Sequence, residues 1–156
     1  MLKKIRFYIF LVGIASVYLL IFWLVEIKSY GLRINQSQSL PQKLFLSKTP
    51  DHLYRGMYVS IVHPNSPNII IAKQVVGLPG DSISVKNSQV YINDIYFGDI
   101  KHLSSSGKLY NPISYKIIPP DYMFLSSTHV DSFDSRYEEF GLIPQNAIKE
   151  ELWPIF

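Results

Sequence analysis

Hydrophobic positions in this chain fall into two regimes. From Phe7 to Val25 they run without a charged residue; after Gly31 they come in short bursts broken by Pro, Gly, Asn and Ser. The first regime, roughly 19 residues at about 1.5 Å each, reaches about 29 Å, close to the hydrocarbon thickness of a bilayer. It predicts a transmembrane anchor over residues 7–25. Trp23 and Tyr30 suit a membrane interface. Lys3, Lys4 and Arg6 precede the span and Glu26 follows it. The positive-inside rule then assigns residues 1–6 to the cytoplasm and 26–156 to the outside. A cleaved signal peptide ending near Ser29-Tyr30-Gly31 is the alternative, but the apolar run exceeds a signal core.

The second regime reads as β structure. Gly31 to Leu46 is polar and turn-rich, ending in the apolar patch Leu44-Phe45-Leu46. Asp51 to Pro67 is a loop entering a strand: Tyr58, Ser60 and Val62 alternate with Val59, Ile61 and His63, and Pro64-Asn65-Ser66-Pro67 ends the run. Ile69 to Val76 is the clearest strand, rich in β-branched residues. Leu78-Pro79-Gly80-Asp81 is a turn. Ile83–Lys86 and Gln89–Asn93 form a hairpin about Asn87-Ser88. Gly98 to Pro112 reads as a loop. Tyr115–Ile118 and Tyr122–Ser126 read as strands split by Pro119-Pro120, Ser127 to Gly141 as a loop, and Ala147–Trp153 as a last strand. No long amphipathic helix follows the anchor, so the expected fold is mostly β.

Composition narrows the chemistry. At 156 residues the chain suits one modest domain behind its anchor. Charged residues make up 17% and aromatics 14%, which argues against disorder. The net charge of +3 has no basic stripe behind it, so nucleic acid is not an expected partner. No cysteine is present, which excludes disulfides, thiolate metal sites and a cysteine nucleophile. His52, His63, His102 and His129 are scattered without ligand spacing. Neither a metal nor another cofactor is expected.

Two stretches carry candidate chemistry. In Asn35-Gln36-Ser37-Gln38-Ser39-Leu40-Pro41, Pro41 biases Leu40 toward an extended backbone, and Ser39 stands at a turn with its hydroxyl available. A plain loop fits the same stretch. In Ile69 to Asp81, a single lysine lies inside an apolar strand pattern. Residues two apart share a strand face, so Lys73 lies with Ile69, Ile71 and Val75. Burial lowers a lysine pKa, and neutrality near pH 7–8 needs a shift of roughly 3 units, about 4 kcal/mol. A desolvated lysine can serve a serine nucleophile as base; a snorkelling edge-strand lysine is the bland alternative.

Three stretches resemble those of type I signal peptidases. Ser37-Gln38-Ser39-Leu40-Pro41 resembles the family's serine box, Lys73-Gln74-Val75-Val76-Gly77-Leu78-Pro79-Gly80-Asp81 its lysine box, and Ser132-Phe133-Asp134-Ser135-Arg136 with Phe140-Gly141 its C-terminal box. They occur in the family's order behind an N-terminal anchor. Asn35-x-Ser37-x-Ser39-Leu40-Pro41, Leu44-Phe45, the short chain and the Leu152-Trp153 ending resemble the TraF-type branch, whose members serve conjugative transfer and mature pilin precursors. Two stretches depart from the housekeeping pattern: Ser126-Ser127-Thr128 replaces Gly-Asp-Asn, and Arg55-Gly56-Met57 replaces Arg-Gly-Asp.

The resemblance implies a membrane-anchored serine endopeptidase of the inner membrane, single-pass, with a periplasmic β catalytic domain. Ser39 would be the nucleophile and Lys73 the base. The Ser39 N–H and the Ser37 hydroxyl would hold the oxyanion, Ser132 would orient the Lys73 amine, and Asp134 with Arg136 would support the loop as an ion pair. Ser37 and Ser132 serving only turn backbones, and Asp134–Arg136 as a weak surface pair, remain open. So does a triad using His129 with Asp131 or Asp134. The implied partners are membrane lipid and a precursor protein, a prepilin in the TraF-type branch. Some members of that branch also join the new pilin ends into a ring, a choice between water and an amine as acyl acceptor. A non-catalytic membrane-anchored scaffold of a transfer or pilus apparatus is the rival reading.

Overall fold

The computed structural model describes residues 2–28, 30–35, 40–103, 107–129 and 131–155. One helix, α1 (Leu2–Lys28), opens the chain. Its stretch Lys3–Trp23 is long and apolar enough to cross a membrane, and none of it is buried in the protein. The helix overruns the expected 7–25 at both ends, because Lys3, Lys4, Arg6 and Glu26 are acceptable helix formers whatever the medium around them.

The rest is mostly β. Ten strands follow among the described residues: β1 (Gly31–Ile34), β2 (Leu44–Lys48), β3 (Tyr58–His63), β4 (Ser66–Gly77), β5 (Ile83–Lys86), β6 (Gln89–Ile92), β7 (Ile95–Asp99), β8 (Tyr122–Ser126), β9 (Ile143–Pro144) and β10 (Ile148–Pro154). Seven form one sheet in the order β1-β2-β10-β3-β4-β8-β9; β5, β6 and β7 form a second. Every pairing is antiparallel.

Local chemistry explains much of this. Asn87 and Ser88 have φ of 51° and 59°, and Asn93 and Asp94 have 50° and 61°. Left-handed backbone at both central positions marks type I′ hairpins, which suit the strand twist. The first turn is the one expected. The second leads into β7, where a loop was expected from Gly98 and no strand before it; exposed Ile95 and Tyr96 and an interior glycine hide that strand's pattern.

Three further expectations are corrected. The polar stretch from Gly31 contains β1, paired to β2 from Gly31↔Ser47 to Ile34↔Leu44. Leu32 and Ile34 are exposed, so pairing rather than burial defines this strand. Ser66 and Pro67 do not end a run but begin β4, with Ser66 opposite His63. Tyr115–Ile118 is not a strand. It makes one isolated bridge, Ser82↔Ile117, because Pro119 and Pro120 supply no N–H to extend a ladder.

The core divides into two main clusters. One gathers Val59, Ile61, Val75, Leu125, Phe140 and Ile148 between β3, β4, β8 and β10. The other gathers Val90, Ile92, Ile118, Phe124 and Tyr137 beneath the smaller sheet. Half-buried Phe133 touches both. Met57, at the departure from Arg-Gly-Asp, is buried in the first cluster, so its apolar side chain packs where an aspartate would be desolvated.

Candidate active site

β4 carries Lys73 into the core. The strand begins exposed, with Ile69 and Ile70 at 52% and 62% exposure, and ends with Val75 fully buried. Ile69 is therefore not part of the buried face expected for Lys73; Ile71 and Val75 are. The strand's exit is held rigidly. A Cβ on Gly77 would stand 2.5 Å from Ile118 Cδ1 and 2.9 Å from Phe124 Cβ, so only glycine lets these layers meet. Gly80 turns the chain at φ 87°. Asp81 then accepts the Leu78 N–H at 2.6 Å, Arg55 Nη2 at 2.7 Å and Asn93 Nδ2 at 2.7 Å. The lysine-box turn thus ties β4 to the smaller sheet.

Lys73 is 2% exposed. Its Nζ donates to Ser132 Oγ at 2.6 Å and to the Phe133 carbonyl at 2.8 Å. The Phe140 ring centroid lies 5.7 Å away. Burial pushes the amine down to about 8; the Asp134 charge opposes this and the Arg136 charge assists it. A charged buried amine has lost its water, and two neutral acceptors do not replace it. Above about pH 8 the neutral amine can place its two N–H groups on these two acceptors, leaving a lone pair that no other described residue takes.

Asp134 and Arg136 meet behind Ser132. Asp134 is fully buried and Arg136 3% exposed, so the surface-pair alternative does not hold. Arg136 Nε donates to Asp134 Oδ1 at 2.9 Å and Nη2 to Oδ2 at 3.0 Å, a bidentate clasp. Burial works against the guanidinium's charge, but the Asp134 hydrogen bonds and charge hold its pKa above the ordinary value. Nη2 also donates to the Ser132 carbonyl at 3.1 Å, and Nη1 to Asp99 O at 2.8 Å. Ser126 Oγ donates to Asp134 Oδ2 at 2.6 Å. Ser135 Oγ joins the Leu125 N–H to the Gly141 carbonyl, closing the loop's far side.

The histidine alternative is not assembled. Asp134 is taken by Arg136, and Asp131 pairs with Lys101. His129 Nδ1 accepts the Asp131 backbone N–H at 3.2 Å. His63 stacks on Phe133 at 5.8 Å, and burial with the Lys73 charge lowers its pKa.

Ser37 and Ser39 lie outside the described residues, as do Gln36 and Gln38. The ends of their segment are described. Asn35 N donates to Lys43 O at 2.8 Å, and Asn35 Nδ2 donates to Leu40 O at 3.2 Å and Gln42 O at 3.0 Å. Leu40 is fully buried against Phe45 and Leu152. Asn35 also lines a groove of about 670 Å³ shared by β1 and Ile69–Ala72 of β4. Both strands present an open edge there. β1 ends its sheet, and β8 meets β4 only from Gln74 onward among the described residues.

Sequence reasoning overlooked the Phe133 carbonyl, Ser126 and Asn35. A backbone acceptor leaves no mark in a sequence. Ser126 stood out only as a departure from a family pattern, and Asn35 only as a motif position.

Residues 2–152 match the signal peptidase, peptidase S26 family. The conjugal transfer protein TraF of Agrobacterium tumefaciens (strain 15955) is 29% identical over 107 residues, 67% of this chain and 56% of that protein. Signal peptidase I V of Bacillus subtilis (strain 168) is 27% identical, covering 93% of this chain and 95% of that protein. The chain spans about half the length of the two conjugal transfer relatives it matches. A crystal structure of a signal peptidase I from Enterococcus faecalis V583 is 21% identical, covering 67% of this chain and 100% of that one at a TM-score of 0.47. On the family match over nearly its whole length, the chain belongs to the signal peptidase, peptidase S26 family.

Proposed function

We propose that this chain is a membrane-anchored serine endopeptidase that removes the leader or propeptide of an exported protein, with Ser39 as nucleophile and Lys73 as base. One observation carries the reading: Lys73 is a buried amine with a pKa near 8 whose two N–H groups have acceptors in Ser132 and Phe133. The remaining lone pair takes the proton of Ser39 Oγ as that oxygen attacks the scissile carbonyl. The carbonyl π electrons move to the oxygen, which the Ser39 N–H and Ser37 hydroxyl stabilise. Collapse expels the amine, which Lys73 protonates. Water, or an incoming amine, then takes the acyl group. Asp134 and Arg136 bond to each other rather than to Lys73 and support the loop.

The groove between the open edges of β1 and β4 suits an extended peptide bound by strand addition. The apolar helix α1 supports an anchor in the cytoplasmic membrane. Lys3, Lys4 and Arg6 before it favour an N-terminus inside and a β domain outside. Similarity to two conjugal transfer proteins accords with the TraF-type resemblance, and that resemblance is what points to a pilin precursor as substrate.

The test is precursor cleavage in membranes holding equal amounts of inserted, folded protein. Ser39→Ala and Lys73→Ala should each abolish cleavage, the double variant should be no worse, and His129→Ala should retain it. Cleavage by folded Lys73→Ala sinks the dyad. Cleavage that never exceeds the background without the protein favours the scaffold.

A further inference from the structure

Ser126 lies outside the proposed dyad and outside the ion pair, yet with the Leu125–Ser135 bonds at 2.9 and 3.0 Å it is one of the points where the sheet grips the loop. It is the last residue of β8, fully buried, and in register with Gln74, one residue from Lys73. Its hydroxyl reaches Asp134 Oδ2 at 2.6 Å. The other described contacts to that carboxylate all come from Arg136: Nε at 2.9 Å, Nη2 at 3.0 Å and the backbone N–H at 3.2 Å. Those are contacts between residues two apart on one loop; Arg136 is also tied to Asp99 O of β7 at 2.8 Å, whereas among the described residues Ser126 ties the carboxylate itself to β8. Arg136 passes its position on through Nη2 to the Ser132 carbonyl. Ser132 and Phe133 then supply both acceptors of the Lys73 amine. The glycine of the Gly-Asp-Asn pattern from which Ser126-Ser127-Thr128 departs has no hydroxyl to give.

We propose that Ser126 is a positioning residue for Lys73: it pins the Asp134–Arg136 pair to β8 and so fixes where Ser132 and Phe133 hold the amine. The inference rests on Lys73 being the base. Among the described residues, the titrating or charged groups acting on Lys73 are Asp134 and Arg136 from the loop and His63 from the end of β3. The Ser126 O–H dipole points its positive end at Asp134. Without it the carboxylate is less compensated and holds the Lys73 proton to higher pH.

The test is the pH dependence of precursor cleavage by full-length Ser126→Ala, with folding followed by chemical unfolding. The expected result is a kcat about tenfold lower, as for one lost hydrogen bond to a charged group, at unchanged KM. The acid limb of the profile should also move to higher pH. Ser126→Thr, which keeps the hydroxyl, should recover rate and limb. Should the alanine variant fail to fold, Ser126→Cys makes the comparison, since its thiol keeps the volume and donates weakly. A folded alanine or cysteine variant with the parent's kcat and limb overturns the proposal. So does a lower rate with an unmoved limb, the mark of a merely structural residue. Lys73→Ala run beside it separates the two readings. If that variant still cleaves, the base assignment fails and Ser126 falls with it; if it is dead while Ser126→Ala is normal, only the present inference fails.

Discussion

Two cation–carboxylate clusters stand on the same sheet and behave oppositely. At the rim of the groove, Arg33 of β1 clasps Glu150 of β10 at 2.7 and 2.9 Å, and Ser47 and Ser60 each donate to the carboxylate at 3.1 Å. Burial works against the Glu150 charge, but those donors hold its pKa down, while the bond to Glu150 holds Arg33 up. Both groups stay charged. In the core, Lys73 has a carboxylate nearby that it does not touch. Asp134 is spent on Arg136, and the two charges act on Lys73 in opposite senses. Burial then dominates and the amine drops to about 8. Burial depresses this lysine, and the depression survives because a neighbouring arginine opposes the carboxylate that would raise it.

Removing that arginine breaks the contrast most sharply. Arg136→Met leaves Asp134 buried and unpaired, at a cost of about 3–5 kcal/mol. In whatever protein still folds, Asp134 acts on Lys73 without opposition, so the acid limb of cleavage should move to higher pH. Urea unfolding and a pH–rate profile check both effects. An unmoved limb would mean that the arginine does not set the amine's titration.

Replacing Lys73 inverts the usual mutational sign. The Lys73 depression from 10.5 to about 8 corresponds to about 3 kcal/mol. The unfolded chain holds this proton up to pH 10.5 and the folded chain only to about 8, so unfolding takes up a proton between them. Stability should therefore rise with pH across that window, and below it the full cost is present. Lys73→Met should abolish cleavage yet stabilise the fold at pH 7 by about 1–2 kcal/mol, after allowing for the lost bonds to Ser132 and Phe133. That gain should vanish near pH 10.5. Urea midpoints at the two pH values read it, and a less stable variant at pH 7 contradicts the account.

The rim pair should give the smallest effect. The Arg33 side chain is 52% exposed and that of Glu150 18%. Arg33→Met should cost about 1 kcal/mol or less. It should leave the acid limb where it was, because Arg33 is not among the groups acting on Lys73. A limb that shifts with Arg33 would join the two clusters into one electrostatic unit.

Much of this was legible in the residues themselves. The uncharged run from Phe7 to Val25 can only be helical in a bilayer, and it lies within α1. Asn87-Ser88 takes the left-handed conformations a tight hairpin needs. β-Branched residues from Ile69 onward mark β4, and the Gly77 to Asp81 spacing marks its turn. These are local preferences, paid over a few neighbouring residues. What only the tertiary structure decided is partnership across distance. β1 has no buried face of its own and exists by pairing with β2. Tyr115–Ile118 has strand-like residues but no continuous neighbour. Whether Asp134 would neutralise Lys73 or Arg136 depended on the loop's path, and the chain closes that path with a hydroxyl on β8 and a carbonyl at Phe133. Desolvation, and with it the basicity of one lysine, is a property of everything packed around a group, which no stretch of sequence contains.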